Sequence, residues 1–201
     1  MDQHLPALAT ASLAEQQQAL AGIVLADPDL SAIVDLIADQ DLPDGWLVAG
    51  AIYQTVWNRI AGHRRQTGIK DYDVIYFDPD TSYEAEDRVI RRMEAACRPL
   101  GLAVEVRNQA RVHLWYEERF GFPIAPLTSS AESLLFYAST THSVGVRRNA
   151  AGGLDMLAPY GLADVFAMHL RPNRLRPNGP SHDAKARRCL VTWPMLTVEW
   201  W

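Results

Sequence analysis

A change in hydrophobic period at Gly50 constrains the fold of this chain most strongly. The apolar run from Trp46 to Ala49 is short and ends at Gly50, which is typical of a buried strand. In the following residues the apolar side chains recur at helical spacing, and they are Ile52, Val56, Trp57 and Ile60. The sequence therefore predicts a strand that passes directly into a helix at Gly50.

The same alternation of strands and helices continues downstream. Residues 72–77 form a second apolar run, and Thr81-Ser82-Tyr83-Glu84 then fits a capping box that begins a helix. Residues 102–107, with the sequence LAVEVR, alternate as a third strand does, placing Glu105 and Arg107 on its outward face. The order strand, helix, strand, helix, strand favours an α/β fold with a mixed sheet flanked by helices.

Additional elements are predicted on both sides of this core. Residues 12–25 and 29–38 read as two helices, so residues 1–43 form a helical N-terminal lead to a domain at 44–201. The segment VGVRRNAAGGLDMLAP predicts a hairpin with its turn at AAGG, and further helical segments lie on either side of it. We interpret RPNGPSHDA, residues 176–184, as a flexible loop, and expect the whole chain to form one compact unit.

Composition excludes several classes of protein. No run approaches the roughly 18 apolar residues of a membrane span, and a net charge of −5 argues against a broad nucleic-acid surface. Two cysteines without a CxxC motif exclude a zinc ribbon or a disulfide scaffold. The first residues, MDQHLPALATAS, lack the basic region and apolar stretch of a secretory leader, so we expect a cytoplasmic location.

An acidic cluster surrounds the second strand, with four aspartates between positions 71 and 80. Asp71 and Asp73 are two residues apart, so their carboxylates project from one face of the strand and repel each other. A divalent ion relieves that repulsion, and Mg²⁺ prefers carboxylate and phosphate oxygens. Glu105 adds a third carboxylate if its strand lies beside the second. The alternative is a solvated start of a strand, with Glu105 an ordinary exposed residue.

The Gly50 junction predicts a phosphate site opposite these carboxylates. A glycine allows a phosphate to approach the backbone, and the first amides of the following helix are free donors at its positive end. The predicted metal and phosphate sites would therefore face each other.

Four segments carry a resemblance to a known family, and they are VAGAIYQTVWNRIAG, DYDVIYFD, RNQARVHLWYEERFG and APYGLADVFAMHLRPN. They resemble the bacterial nucleotidyltransferase-like family of the DNA polymerase beta-type superfamily, from about residue 44 to the C-terminus. The resemblance implies metal-dependent transfer of a nucleoside monophosphate from an NTP, with loss of pyrophosphate. The acceptor stays open between a small molecule, a protein side chain and an RNA end.

The resemblance also implies roles for individual residues. Asp71 and Asp73 would hold Mg²⁺ or Mn²⁺ against the triphosphate, and Glu105 would share a second metal ion and help to deprotonate the acceptor. Gly50 and Ala51 lie where the superfamily has glycine and serine, at a longer spacing from Asp71 than is usual. Because Ala51 has no hydroxyl for a phosphate oxygen, a nucleotide-binding or regulatory module with weak catalysis is the second hypothesis.

Two arginines follow Glu105 closely in the sequence. Arg107 and Arg111 could meet phosphate groups of the nucleotide. The alternative is a helix start in which Asn108 is the cap and Arg111 forms a salt bridge.

Asp78 and Asp80 support a third hypothesis. The segment IYFDPDTS is similar to the signature of haloacid dehalogenase-type phosphatases, in which Asp78 would be the nucleophile, Asp80 the general acid, and Mg²⁺ would again be bound. The alternative is a loop followed by a helix capped by Thr81.

Overall fold

The computed structural model describes residues 4–201, so the first three residues of the predicted helical lead lie outside the described part. The α-helices are α1 (Leu13–Ala26), α2 (Pro28–Asp39), α3 (Gly50–Ala61), α4 (Tyr83–Cys97), α5 (His113–Phe120), α6 (Ser130–Leu134), α7 (Ala163–Phe166) and α8 (Gly179–Thr192). The strands are β1 (Trp46–Val48), β2 (Tyr72–Tyr76), β3 (Val104–Asn108), β4 (Gly145–Arg148), β5 (Leu154–Leu157), β6 (His169–Leu170) and β7 (Thr197–Val198). Short 3-10 helices span Leu5–Thr10, Arg98–Leu100, Gln109–Arg111 and Thr140–His142.

Five strands form one mixed sheet in the order β3-β2-β1-β4-β5. Only the pair β2 and β3 is parallel among these neighbours, and the helix α4 connects those two strands. The remaining pairs are antiparallel, including the predicted hairpin of β4 and β5. The predicted fold class, a mixed sheet flanked by helices, is confirmed.

Helix α3 is the centre of the core. Ten of its residues are buried, so it is covered on all sides rather than along one stripe. The indole of Trp57 donates a hydrogen bond to the carbonyl of Val165 at 3.0 Å, and Asn58 accepts one from the indole of Trp193 at 3.0 Å. Buried side chains of α1 and α2, such as Leu20 and Ile33, belong to the same core.

Two predictions about local structure were wrong. The cap of α4 is Ser82 and not Thr81, since the Ser82 hydroxyl accepts from the amide of Ala85 at 3.3 Å. The predicted flexible loop at 176–184 contains the first turns of α8, in which proline at the second helical position is tolerated. Tertiary contacts stabilise this turn, because the buried His182 bonds to the Ser139 hydroxyl at 2.6 Å and to a backbone carbonyl.

None of the helices within residues 4–201 combines the length and hydrophobicity that crossing a bilayer requires.

Candidate active site

The strand-to-helix junction carries backbone strain. Ala49 has φ +54° and ψ −117°, a conformation that residues with a Cβ atom rarely adopt. A hydrogen bond of 2.8 Å from the Ala49 amide to the Val144 carbonyl supports it. The turn directs Gly50 at β2: a Cβ atom built on Gly50 would lie 3.8 Å from a carboxylate oxygen of Asp73. The helix α3 therefore begins beside this carboxylate, and the amides of its first residues are the ones that an α-helix leaves without a partner inside the helix.

The three predicted carboxylates lie together at one end of the β2–β3 pair. Asp73 is directly opposite Glu105 in the parallel register, and Asp71 lies two residues before Asp73, just ahead of β2. Burial, together with the negative charges of Asp71 and Glu105, raises the pKa of Asp73 to about 6, although the cation of Lys185 opposes the shift. The carboxylates are therefore close enough to repel each other.

The donor set suits a divalent metal ion in its chemistry. Carboxylates are the hard oxygen ligands that Mg²⁺ prefers. A cation would offset both the burial of the Asp73 carboxylate and its repulsion by Asp71 and Glu105, the causes that raise its pKa. Within residues 4–201 no three such side chains already converge as a ligand group, and Glu105 forms an ion pair of 3.1 Å with Arg107. Asp71 and Asp73 are accordingly the residues that would hold the ion, with phosphate oxygens completing its shell.

Lys185 of α8 is a site residue that the sequence interpretation missed. Its ammonium group lies 5.9 Å from the centre of the Tyr53 ring. The Tyr53 hydroxyl and the Asp73 carboxylate raise the pKa of Lys185 despite its burial, so the side chain is cationic beside the acids. No local pattern around position 185 predicts it, because the prolines and glycine of residues 176–184 indicate a loop and not a helix face.

His142 is a second missed residue, located next to Tyr53. Its ring stacks on that of Tyr53 with centroids 4.8 Å apart, and 4% of the residue is exposed. Burial and then the positive charge of Lys185 hold the pKa of His142 well below its usual range, so the imidazole is neutral. Its buried Nε2 atom has no hydrogen-bond partner among the described residues.

Two cavities meet at Asp73. The first, the aromatic chamber, has a volume of about 660 Å³ and includes Glu105, Trp115, Phe136 and Arg176 in its wall. The second, the Gly50 cleft, has a volume of about 510 Å³. The cleft is lined by Gly50, Gln54, Gly68, Lys70, Asp71, Asp73, Lys185, Arg188, Cys189, Val191, Thr192 and Trp193. Asp73, Lys185 and Arg188 line both cavities, whereas Asp71 lines only the cleft and Glu105 only the chamber.

The other predicted site residues are distributed differently. Arg107 lines the chamber, while Ala51 is 1% exposed and lines neither cavity. Arg111 is not brought to either cavity, since it forms an ion pair of 3.0 Å with Glu86 and donates to the Thr81 carbonyl. The salt-bridge alternative thus describes its position.

Asp78 and Asp80 belong to a turn outside the two cavities. An Asp78 carboxylate oxygen accepts from the Asp80 amide at 2.8 Å, and an Asp80 oxygen accepts from the Ser82 amide at 3.0 Å. The buried side chain of Asn108 joins this turn to the end of β3 by accepting from the Asp78 amide and donating to its carbonyl. Asn108 also caps the following 3-10 helix through the amide of Ala110.

A family model described as Nucleotidyltransferase matches residues 35–198. Among solved structures, the chain is similar to a protein whose NMR structure is described as revealing a CCA-adding enzyme head domain. The TM-score is 0.73 at 25% sequence identity, and the alignment covers 92% of this chain and 96% of that one. No curated protein matches.

Proposed function

The chain belongs to the nucleotidyltransferase family, and we propose that it transfers a nucleoside monophosphate from an NTP to an acceptor in a reaction that depends on a divalent metal ion. One observation carries the proposal: Asp73 lies between Gly50 at the start of α3 and the carboxylate of Glu105, at the meeting point of two cavities.

The Gly50 cleft suits the triphosphate. Its wall combines the backbone at the start of α3 with the cations of Lys70, Lys185 and Arg188, and all of these favour phosphate oxygens. Asp71 and Asp73 face the same cleft and would hold Mg²⁺ or Mn²⁺ there. A bound ion would supply Lewis-acid stabilisation of the charge that develops on the phosphate oxygens.

The acceptor side of the reaction involves Asp73 and Glu105. The acceptor hydroxyl oxygen forms a bond to the α-phosphorus while the bond from that phosphorus to the bridging oxygen breaks, and pyrophosphate leaves. The hydroxyl proton would pass to the carboxylate of Glu105, which lies directly opposite Asp73 and lines the chamber.

The test is pyrophosphate release from each of the four NTPs with Mg²⁺ or Mn²⁺ over a panel of pooled acceptors. We expect the double variant Asp71→Asn/Asp73→Asn to lose release by a factor of at least about 100, because both ligands of the ion lose their charge. Asp80→Asn is the matched control, since it alters an exposed aspartate of the same acidic stretch outside both cavities.

Two other outcomes discriminate between the hypotheses. NTP binding without any release over the panel would favour a nucleotide-binding module, for which the buried Ala51, lacking a hydroxyl, is the supporting feature. The phosphatase hypothesis receives no support, because both of its aspartates cap a turn and line neither cavity at Asp73. Equal release by wild type and the double variant would contradict the proposal.

A further inference from the structure

The three carboxylates are distributed unequally between the two cavities, and this distribution indicates which cavity receives each reactant. An in-line phosphoryl transfer has its attacking and leaving oxygens on opposite sides of the phosphorus. Of the two cavities, Asp73 lines both, Asp71 lines only the Gly50 cleft, and Glu105 lines only the aromatic chamber. If the triphosphate lies in the cleft, the attacking group approaches from the chamber.

The wall of the aromatic chamber carries more positive than negative side chains, which favours an anionic ligand. Among the described residues it carries five basic side chains and two carboxylates, Asp73 and Glu105. Arg107 pairs with Glu105, and Lys185 interacts with Asp73. The three remaining basic residues, Arg119, Arg176 and Arg188, form no ion pair within residues 4–201. Arg188 also lines the Gly50 cleft, so Arg119 and Arg176 supply the unpaired positive charge that belongs to the chamber alone.

The same wall contains several aromatic rings. The guanidinium carbon of Arg176 lies 3.6 Å from the centre of the Phe136 ring and 5.4 Å from that of Tyr116, so this cation contacts both rings. Trp115 adds a further ring. The wall is fixed across elements, because Asn178 accepts from the Tyr116 hydroxyl at 3.4 Å and donates to the Phe136 carbonyl at 3.2 Å.

We propose that the aromatic chamber is the acceptor site, and that the acceptor is a small molecule combining a hydroxyl, a planar ring and an anionic group, as a nucleoside monophosphate does. This inference rests on the proposed nucleotidyl transfer. The ring stacks among Trp115, Tyr116 and Phe136, the anion meets Arg176 and Arg119, and the hydroxyl reaches Glu105 and Asp73. A volume of about 660 Å³ is in the range of roughly 300–1,000 Å³ typical of small-molecule sites.

Calorimetric titration tests this assignment directly. AMP, GMP, CMP and UMP are the probes, each added to the full chain with Mg²⁺ and with a saturating α,β-methylene analogue of the NTP that the protein binds. We expect at least one monophosphate to bind with the analogue present, because the two occupy different cavities. A 12-nucleotide RNA with the same 3′ residue is the comparison for a polymeric acceptor.

Arg176→Gln is expected to weaken monophosphate binding at least tenfold and to change analogue binding less than twofold. Arg187→Gln is the matched control, because Arg187 also stacks on an aromatic ring, that of Trp200, but does not line the chamber. Arg119→Gln at the exposed rim provides a second variant whose folding is not at risk, and the same loss of binding is expected from it.

Each contrary result has a distinct meaning. Competition between monophosphate and analogue would assign the chamber to the nucleoside of the NTP and overturn this inference while leaving the transferase proposal intact. The absence of binding by all four monophosphates, tighter binding of the RNA, or unchanged binding in both arginine variants would also overturn it. Failure of the analogue itself to bind would reject the proposed function and this inference together.

Discussion

Gly68 lies where the loop after α3 crosses the indole of Trp193, and replacing it with alanine tests the packing beside the Gly50 cleft. Its φ is +78°, in the left-handed region that favours glycine, and a Cβ atom there would lie 2.5 Å from an atom of the Trp193 ring. Trp193 is 1% exposed and donates to Asn58 at 3.0 Å, so the ring has little freedom to withdraw.

The expected loss of stability has two parts. A left-handed residue with a Cβ atom costs about 1–2 kcal/mol, and overpacking of a buried site costs about 1–3 kcal/mol. We therefore expect Gly68→Ala to lower the free energy of unfolding by about 3 kcal/mol. Urea denaturation at 25 °C, followed by circular dichroism, measures this as a lower midpoint with an unchanged slope.

Gly101→Ala is the matched control for the backbone contribution. Gly101 has φ +68°, but a Cβ atom there would meet nothing within 4 Å. Gly101→Ala should lower the free energy of unfolding by only about 1–2 kcal/mol, because only the left-handed backbone conformation is then unfavourable. Equal losses in the two variants would refute the close contact with Trp193, and so would a Gly68→Ala protein as stable as wild type.

Three further predictions concern the site and its supports. Partial burial alone would raise the pKa of Asp29, but hydrogen bonds, first among them that from Arg65, lower it. Asp29→Asn should therefore lower the free energy of unfolding by about 1 kcal/mol at pH 7, measured by urea denaturation. The difference in unfolding free energy between variant and wild type should vanish as the pH falls through the lowered pKa of Asp29, because the wild-type carboxylate is then protonated. Asn108→Ala leaves buried backbone groups of the turn at Asp78 without partners, so we expect it to lower the free energy of unfolding by about 3 kcal/mol. A decrease below about 1 kcal/mol, measured in the same way, would contradict the role assigned to the Asn108 side-chain amide. Lys185→Met removes the cation beside the acids and should reduce pyrophosphate release per folded molecule roughly tenfold or more; unchanged release would exclude Lys185 from the site.

Local signals in the sequence predicted the central part of the fold. The change of hydrophobic period at Gly50, the alternation around Glu105 and the turn between β4 and β5 all depend on neighbouring residues, so they could be read without the structure. The placement of Asp73 opposite Glu105 followed from assuming that their strands are neighbours, and the sheet has them in that register. Their catalytic roles stay a prediction.

What only the tertiary structure decided is the other half of the site. The start of α8 contains glycine and proline, which read locally as a loop, but contacts of His182 with Ser139 and a distant carbonyl stabilise it as a helix. That helix brings Lys185 to the carboxylates of β2 from more than a hundred residues away in the chain. Periodicity and spacing report on contacts between near neighbours, so they determined the strands that carry the acids; the cations and rings around those acids are set by packing between distant segments, which no local pattern encodes.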